Sequence, residues 1–166
     1  MSQLVDPDAL QDLLNINPDD HEEFSWNENH FLAKPSDVYD GDTFTATWIY
    51  NDEVIKQRCR CIGYNSPEIR PRRNLPNRDQ IKLEANLAKD RFTELLNQDA
   101  LIVVECFRND SFGRMLTVVY NATNGTKSLN QIMLDEGHGI VYVGGKHDPT
   151  LSDALANDAL IATCPR

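Results

Sequence analysis

Residues 43–62 read TFTATWIYNDEVIKQRCRCI: two β-rich runs with Asn51-Asp52-Glu53 between them. Threonine, isoleucine, valine and aromatic side chains favour extended backbone, and the polar triplet is a hairpin signal. Two strands are therefore predicted, over 43–50 and 54–62. Alternation along the second puts Arg60 on one face with Lys56, Arg58 and Ile62, opposite Ile55, Cys59 and Cys61. A charged row opposite a small apolar row fits a barrel wall beside a groove. Working outward, 101–107 and 115–120 read as a second strand pair and 140–143 as a short last strand. Between the pairs, Ile81, Ala85, Ala88, Phe92, Leu95 and Leu96 recur at helical spacing, which predicts an amphipathic helix over 79–97. Ser128 and Gly137 bracket a short helix. Thr150 with Asp153 resembles a capping box that opens a terminal helix through residue 161. Four or five short strands with one long inserted helix indicate an α+β chain built on a small OB-like barrel.

The chain has 166 residues, enough for one domain with an ordinary core. Residues 1–30 read as an acidic N-terminal extension and 31–166 as the barrel domain. Asp6, Pro7 and the leucines at 10, 13 and 14 suggest a short helix inside the extension. The formal net charge is −10, but residues 1–40 carry ten acids against Lys34 alone, and the rest is close to balance. Within that balanced part Arg70, Arg72, Arg73, Arg78 and Lys82 form a basic cluster. The extension is expected to be a partly ordered tail; as an acidic polymer it could also lie over that cluster. No apolar run is long enough to span a bilayer, and the N-terminus lacks a secretory pattern, so the expectation is an intracellular protein with no membrane partner. The cysteines show neither zinc spacing nor a Cys-x-x-Cys motif and read as small buried hydrophobes. Nothing in the sequence calls for an obligate protein partner, and a monomer is expected.

Three short segments carry chemistry: DGDT at 40–43, RCIGYNSPE at 60–68 and DSFGR at 110–114. Each alone is a credible turn or strand end. Together they supply more than turns need. Asp42 and Glu68 are hard oxygen donors, and Asn65 adds a neutral one, a set suited to Ca²⁺. Arg60 and Arg114 are planar forks that can hold a phosphodiester through paired hydrogen bonds.

These segments, in this order and at this spacing, resemble the staphylococcal nuclease (thermonuclease) family over roughly residues 31–166. The resemblance implies a five-stranded OB-type barrel with three helices. It also implies Ca²⁺-dependent endonuclease activity on DNA, RNA or both, leaving 5′-hydroxyl and 3′-phosphate ends. By position, it makes Asp42 a direct metal ligand, Asp40 a support through water, and Asn65 and the Ser66 carbonyl further ligands. Glu68 would orient or deprotonate the attacking water, and Arg60 and Arg114 would bind the phosphate. Arg72 and Arg73 of the basic cluster are expected to contact the nucleic acid, with Phe112 and Tyr142 stacking on bases. Asn65 stands where the family usually has aspartate, so weaker Ca²⁺ binding is expected. The alternatives are a nuclease-like binding module that has lost catalysis and a plain OB-fold single-strand binder.

Overall fold

The computed structural model describes residues 7–22, 25–27, 29–123 and 125–142. The 43–62 stretch folds as a hairpin of β2 (Thr43–Tyr50) and β3 (Glu53–Cys61). Asn51 and Asp52 take φ of 50° and 63°, the left-handed conformation a two-residue hairpin turn requires. Both are residue types that tolerate it. Glu53 therefore joins the strand opposite Tyr50 and is not part of the turn.

β2 also pairs with β1 (Asn29–Ser36), which continues onto β5 (Ile102–Asn109). β5 turns back into β6 (Met115–Asn121), and β6 runs parallel to β3, closing the barrel in the order β1-β2-β3-β6-β5. This is a closed five-stranded mixed barrel of OB-like α+β type. A separate ribbon pairs β4 (Gly63–Asn65) with β7 (Ile140–Tyr142). The helices are α1 (Pro7–Leu14), α2 (Arg78–Leu96) and α3 (Leu129–Asp135), with a 3₁₀ turn over Pro18–Asp20. The predicted terminal helix over 150–161 lies outside the described residues.

Strand β1 was not among the predicted strands. Its sequence, NHFLAKPS, mixes polar residues with a proline, and only Ala33 is fully buried. Tertiary pairing on both sides holds it. At its start Trp26 packs edge-on to Phe31, Trp48 and Tyr50, with ring centroids 5.0–5.9 Å apart. The aromatic pattern thus reaches back before Phe31.

Inward-facing Phe44, Ala46, Trp48, Cys59, Cys61, Val104, Cys106 and Met115 fill the barrel, and Ala88, Phe92, Leu95 and Leu96 of α2 join the same core. Cys59, Cys61 and Cys106 are free thiols. Burial, with the Glu105 charge nearby, pushes the Cys106 thiol up to about 12, so it stays neutral. One contact between α2 and the barrel sets up the site. A Cβ at Gly41 would lie 2.8 Å from those of Ala88 and Ser66, so only glycine lets helix, turn and loop meet there.

Candidate functional site

The Asp40-Gly41-Asp42 turn precedes β2, and its geometry is fixed by short-range bonds. The Asp42 amide donates to Asp40 Oδ1 (3.2 Å), and the Tyr39 amide donates to the Thr43 carbonyl (2.9 Å). The Tyr64 hydroxyl, reaching over from β4, donates to the Gly41 carbonyl at 2.7 Å. Asp42 is buried at 5% exposure, which for a carboxylate demands partners. It has three. Arg60 Nη1 lies 3.0 Å from Oδ2, the Ser66 amide donates to Oδ2 (2.8 Å), and the Thr43 hydroxyl donates to Oδ1 (2.9 Å).

Arg60 is equally constrained. Register pairs it with Thr43, so strand pairing itself delivers the guanidinium to Asp42. Its remaining N–H groups donate to the carbonyls of Cys61 and Tyr64, and Nη2 also donates to Asn65 Oδ1. Asp42, Arg60, Asn65 and Ser66 therefore form one half-buried polar corner around the buried Asp42, at the join of β2, β3 and β4.

Arg114 arrives from the start of β6, beyond β3. The parallel register Cys59↔Met115 sets the β5–β6 turn beside β3, and Gln57 Nε2 donates to the Gly113 carbonyl (2.9 Å) to pin it there. Gly113 has φ of 76°, which suits glycine. Asp110 holds Arg114 through Nε and Nη2, both at 2.7 Å, and also accepts the amides of Phe112 and Arg114. Burial raises the Asp110 pKa, but those donors outweigh it and leave the group below its ordinary value. From this clamp Arg114 Nη1 reaches Thr43 Oγ1 at 3.4 Å. Thr43 thus links the two guanidinium groups through Asp42.

The other residues predicted for the site lie outside this network. Glu68 is exposed and makes no hydrogen bond or ion pair among the described residues. The Ser66 amide anchors its loop to Asp42, and Glu68 follows two residues, at most about 7 Å of chain, after Ser66. Arg72 and Arg73 are exposed on the loop before α2, free of ion pairs among the described residues. Phe112 is 83% exposed and stacks with the Arg114 guanidinium at 5.5 Å. Tyr142 is on β7 opposite Gly63, beyond the Arg60 end of β3. Sequence reading gave no role to Thr43, Asp110 or Tyr64. All three stand inside the quoted motifs, and Asp110 is four residues from the arginine it clamps, so that spacing was a usable signal. Tyr64 acts through a bond to residue 41 that no local pattern reveals.

Asp40 and Asp42 form a close acidic pair. Burial and the neighbouring Asp42 charge raise the Asp40 pKa to about 6. Two carboxylates pressed together in this way would be relieved by a cation. Among the described residues no three His, Cys, Asp or Glu side chains converge, so the oxygen donors here are two acids, the Asn65 amide and backbone carbonyls. No family model and no curated protein matches the chain.

Proposed function

We propose that this chain is a metal-dependent nuclease that hydrolyses the phosphodiester bonds of DNA, RNA or both. The observation that carries the reading is the Arg60–Asp42–Thr43–Arg114 chain of contacts. Three segments separated in sequence bring one guanidinium onto a buried carboxylate and a second to the threonine hydroxyl that bonds it.

Asp40, Asp42, Asn65 and the Ser66 carbonyl would hold Ca²⁺; the raised Asp40 pKa marks a place where positive charge is favoured. When bound, Ca²⁺ supplies positive charge beside the phosphate oxygens. Arg60 and Arg114 bind those oxygens and stabilise the charge that grows on them as water attacks. Glu68, exposed and unengaged, orients the water and takes its proton. The new bond joins the water oxygen to phosphorus, and the bond to the 5′ oxygen breaks, leaving 3′-phosphate and 5′-hydroxyl ends. Exposed Arg72 and Arg73 steer the polyanion, and Phe112 and Tyr142 stack on bases. The acidic residues ahead of Trp26 act as an extension to this domain, whereas Trp26, Asn29 and His30 belong to the barrel. No helix among the described residues is long and apolar enough to cross a membrane.

The second reading, a binding module without catalysis, draws on Asn65, whose amide oxygen is engaged by Arg60. One assay separates the two. The purified protein and its Glu68→Gln variant are incubated with denatured DNA or RNA, with Ca²⁺ or with a chelator. Ca²⁺-dependent cleavage lost in Glu68→Gln supports the enzyme; retarded migration without cleavage identifies the binder. Equal cleavage by both proteins in chelator rejects the reading.

A further inference from the structure

The outer face of the β2–β3 hairpin carries a polar row that the proposed reaction uses only at its first member, Arg60. Along β3 the outward residues are Arg60, Arg58 and Lys56, and across the pair on β2 they face Thr43, Thr45 and Thr47. Successive cations are about 7 Å apart along the strand, two residues of rise. Such spacing suits the repeating phosphates of an extended strand. The row begins at the Asp42 corner and runs away from it.

Arg58 is the informative member. No carboxylate pairs with it among the described residues. Its guanidinium instead lies 5.5 Å from the ring centroid of Tyr39, which is 49% exposed. Tyr39 is fixed by its amide bond to the Thr43 carbonyl and is followed directly by Asp40. The ring therefore projects from a rigid turn at the edge of the site. Across β3, Arg114 precedes Met115, and the parallel register sets it level with Arg58. There the Phe112–Arg114 stack repeats the same chemistry on the other flank. Two exposed aromatic rings, each beside a guanidinium, thus flank the polar corner. A surface built only to be solvated has no use for either ring, whereas a base gains from stacking on such a ring.

We infer that Tyr39 and Arg58 form a second nucleotide-contacting step, so that a single strand is gripped on both sides of the scissile phosphate. Tyr39 takes a base by stacking and Arg58 takes the next phosphate, with the Thr45 hydroxyl beside it. Lys56 continues the track, since its exposed pair with Asp37 (3.6 Å) is weak enough to be exchanged for phosphate. A duplex keeps its bases stacked on one another and cannot use the ring, so the preferred occupant is single-stranded. This inference rests on the nuclease reading but has its own readout.

Binding is measured in chelator, where the strand stays intact, by fluorescence anisotropy of a labelled oligothymidylate long enough to cross the hairpin. A labelled dinucleotide and a duplex serve as comparisons. Tyr39→Ala and Arg58→Ala should each weaken the long strand by roughly tenfold to a hundredfold and leave the dinucleotide unchanged. Tyr39→Phe should bind as the wild type, because the ring and not the hydroxyl does the stacking. Arg58→Ala should also lower the salt slope by about 0.7, one phosphate's share on a single strand. If both alanine variants bind the long strand as the wild type does while Arg60→Ala or Arg114→Ala releases it, the second step is refuted and the nuclease reading survives. Wild-type protein that binds no strand of any length overturns both. Equal loss for long strand, dinucleotide and duplex overturns the inference as well, since it shows no dependence on reach or on unstacked bases.

Discussion

Arg60 pairs with Thr43 across the β2–β3 ladder and Arg114 reaches it from beyond β3, yet the fold holds them by different means. Arg60 lies within the polar corner, its side chain 11% exposed, bonded to Asp42, two backbone carbonyls and Asn65. Arg114 is 26% exposed at a hairpin tip, carried by Asp110 and touching the corner only through one long contact to Thr43. The first guanidinium is part of the structure that defines the site. The second is presented to that site from outside. The same side chain thus serves in one copy as a mostly buried structural partner and in the other as a more exposed group carried on a turn.

The largest expected effect breaks that contrast at Arg60. Arg60→Ala leaves Asp42 buried without its cation, and loss of one partner from a buried pair costs about 3–5 kcal/mol. Denaturant titration of the metal-free variant should show that loss, along with abolished cleavage. A variant as stable as the wild type would mean that the corner is solvated and that Arg60 is no more structural than Arg114.

Arg114→Ala should act in the opposite proportion. Its pair with Asp110 is partly exposed, so stability should change by no more than about 1 kcal/mol. Cleavage of denatured DNA should nevertheless fall by roughly 10²–10³, the scale of a lost donor to developing negative charge. A variant that unfolds but keeps its specific activity would reverse the assignment of the two arginines.

The contrast also marks what could be read before folding. Residues 43–62 announced the hairpin because turn chemistry and alternation agreed over a short span, and α2 followed from Ala85, Ala88 and Phe92 at helical spacing. Arg60 could be placed on an outward row because its neighbours Cys59 and Cys61 had to face inward. Strand β1 was hidden: Lys34, Pro35 and the polar residues at its start blur the alternation, and two neighbouring strands decide its state. The same physics separates the site residues. Asp42, Arg60 and Arg114 stood out by chemical type within motifs. Thr43, as the bridge between them, and Tyr64, as the clamp on Gly41, depend on contacts between segments far apart in the chain. Glu68 was legible as a candidate base, yet it is exposed and stays outside the bonded network.

The smallest effect sharpens the comparison from the side of the acids that face these arginines. Arg60 pairs with Asp42, but no cation pairs with Asp40 among the described residues, and burial with the neighbouring Asp42 charge raises its pKa from 3.8 to about 6. Because the folded state holds this proton more tightly than the unfolded chain, the unfolded chain releases it first as pH rises. Stability contributed by Asp40 is therefore complete below about pH 4, declines between about pH 4 and about pH 6, and is gone above that. In metal-free protein the melting temperature of the wild type relative to Asp40→Asn should fall across that window, because asparagine has no proton to lose. With saturating Ca²⁺ the fall should disappear, since a cation then supplies the positive charge that the proton supplied. Parallel melting curves for the two proteins without metal would show that Asp40 is already solvated or paired. The acidic side of the site would then be as open as the Arg114 side, and the case for a cation between Asp40 and Asp42 would lose its electrostatic basis.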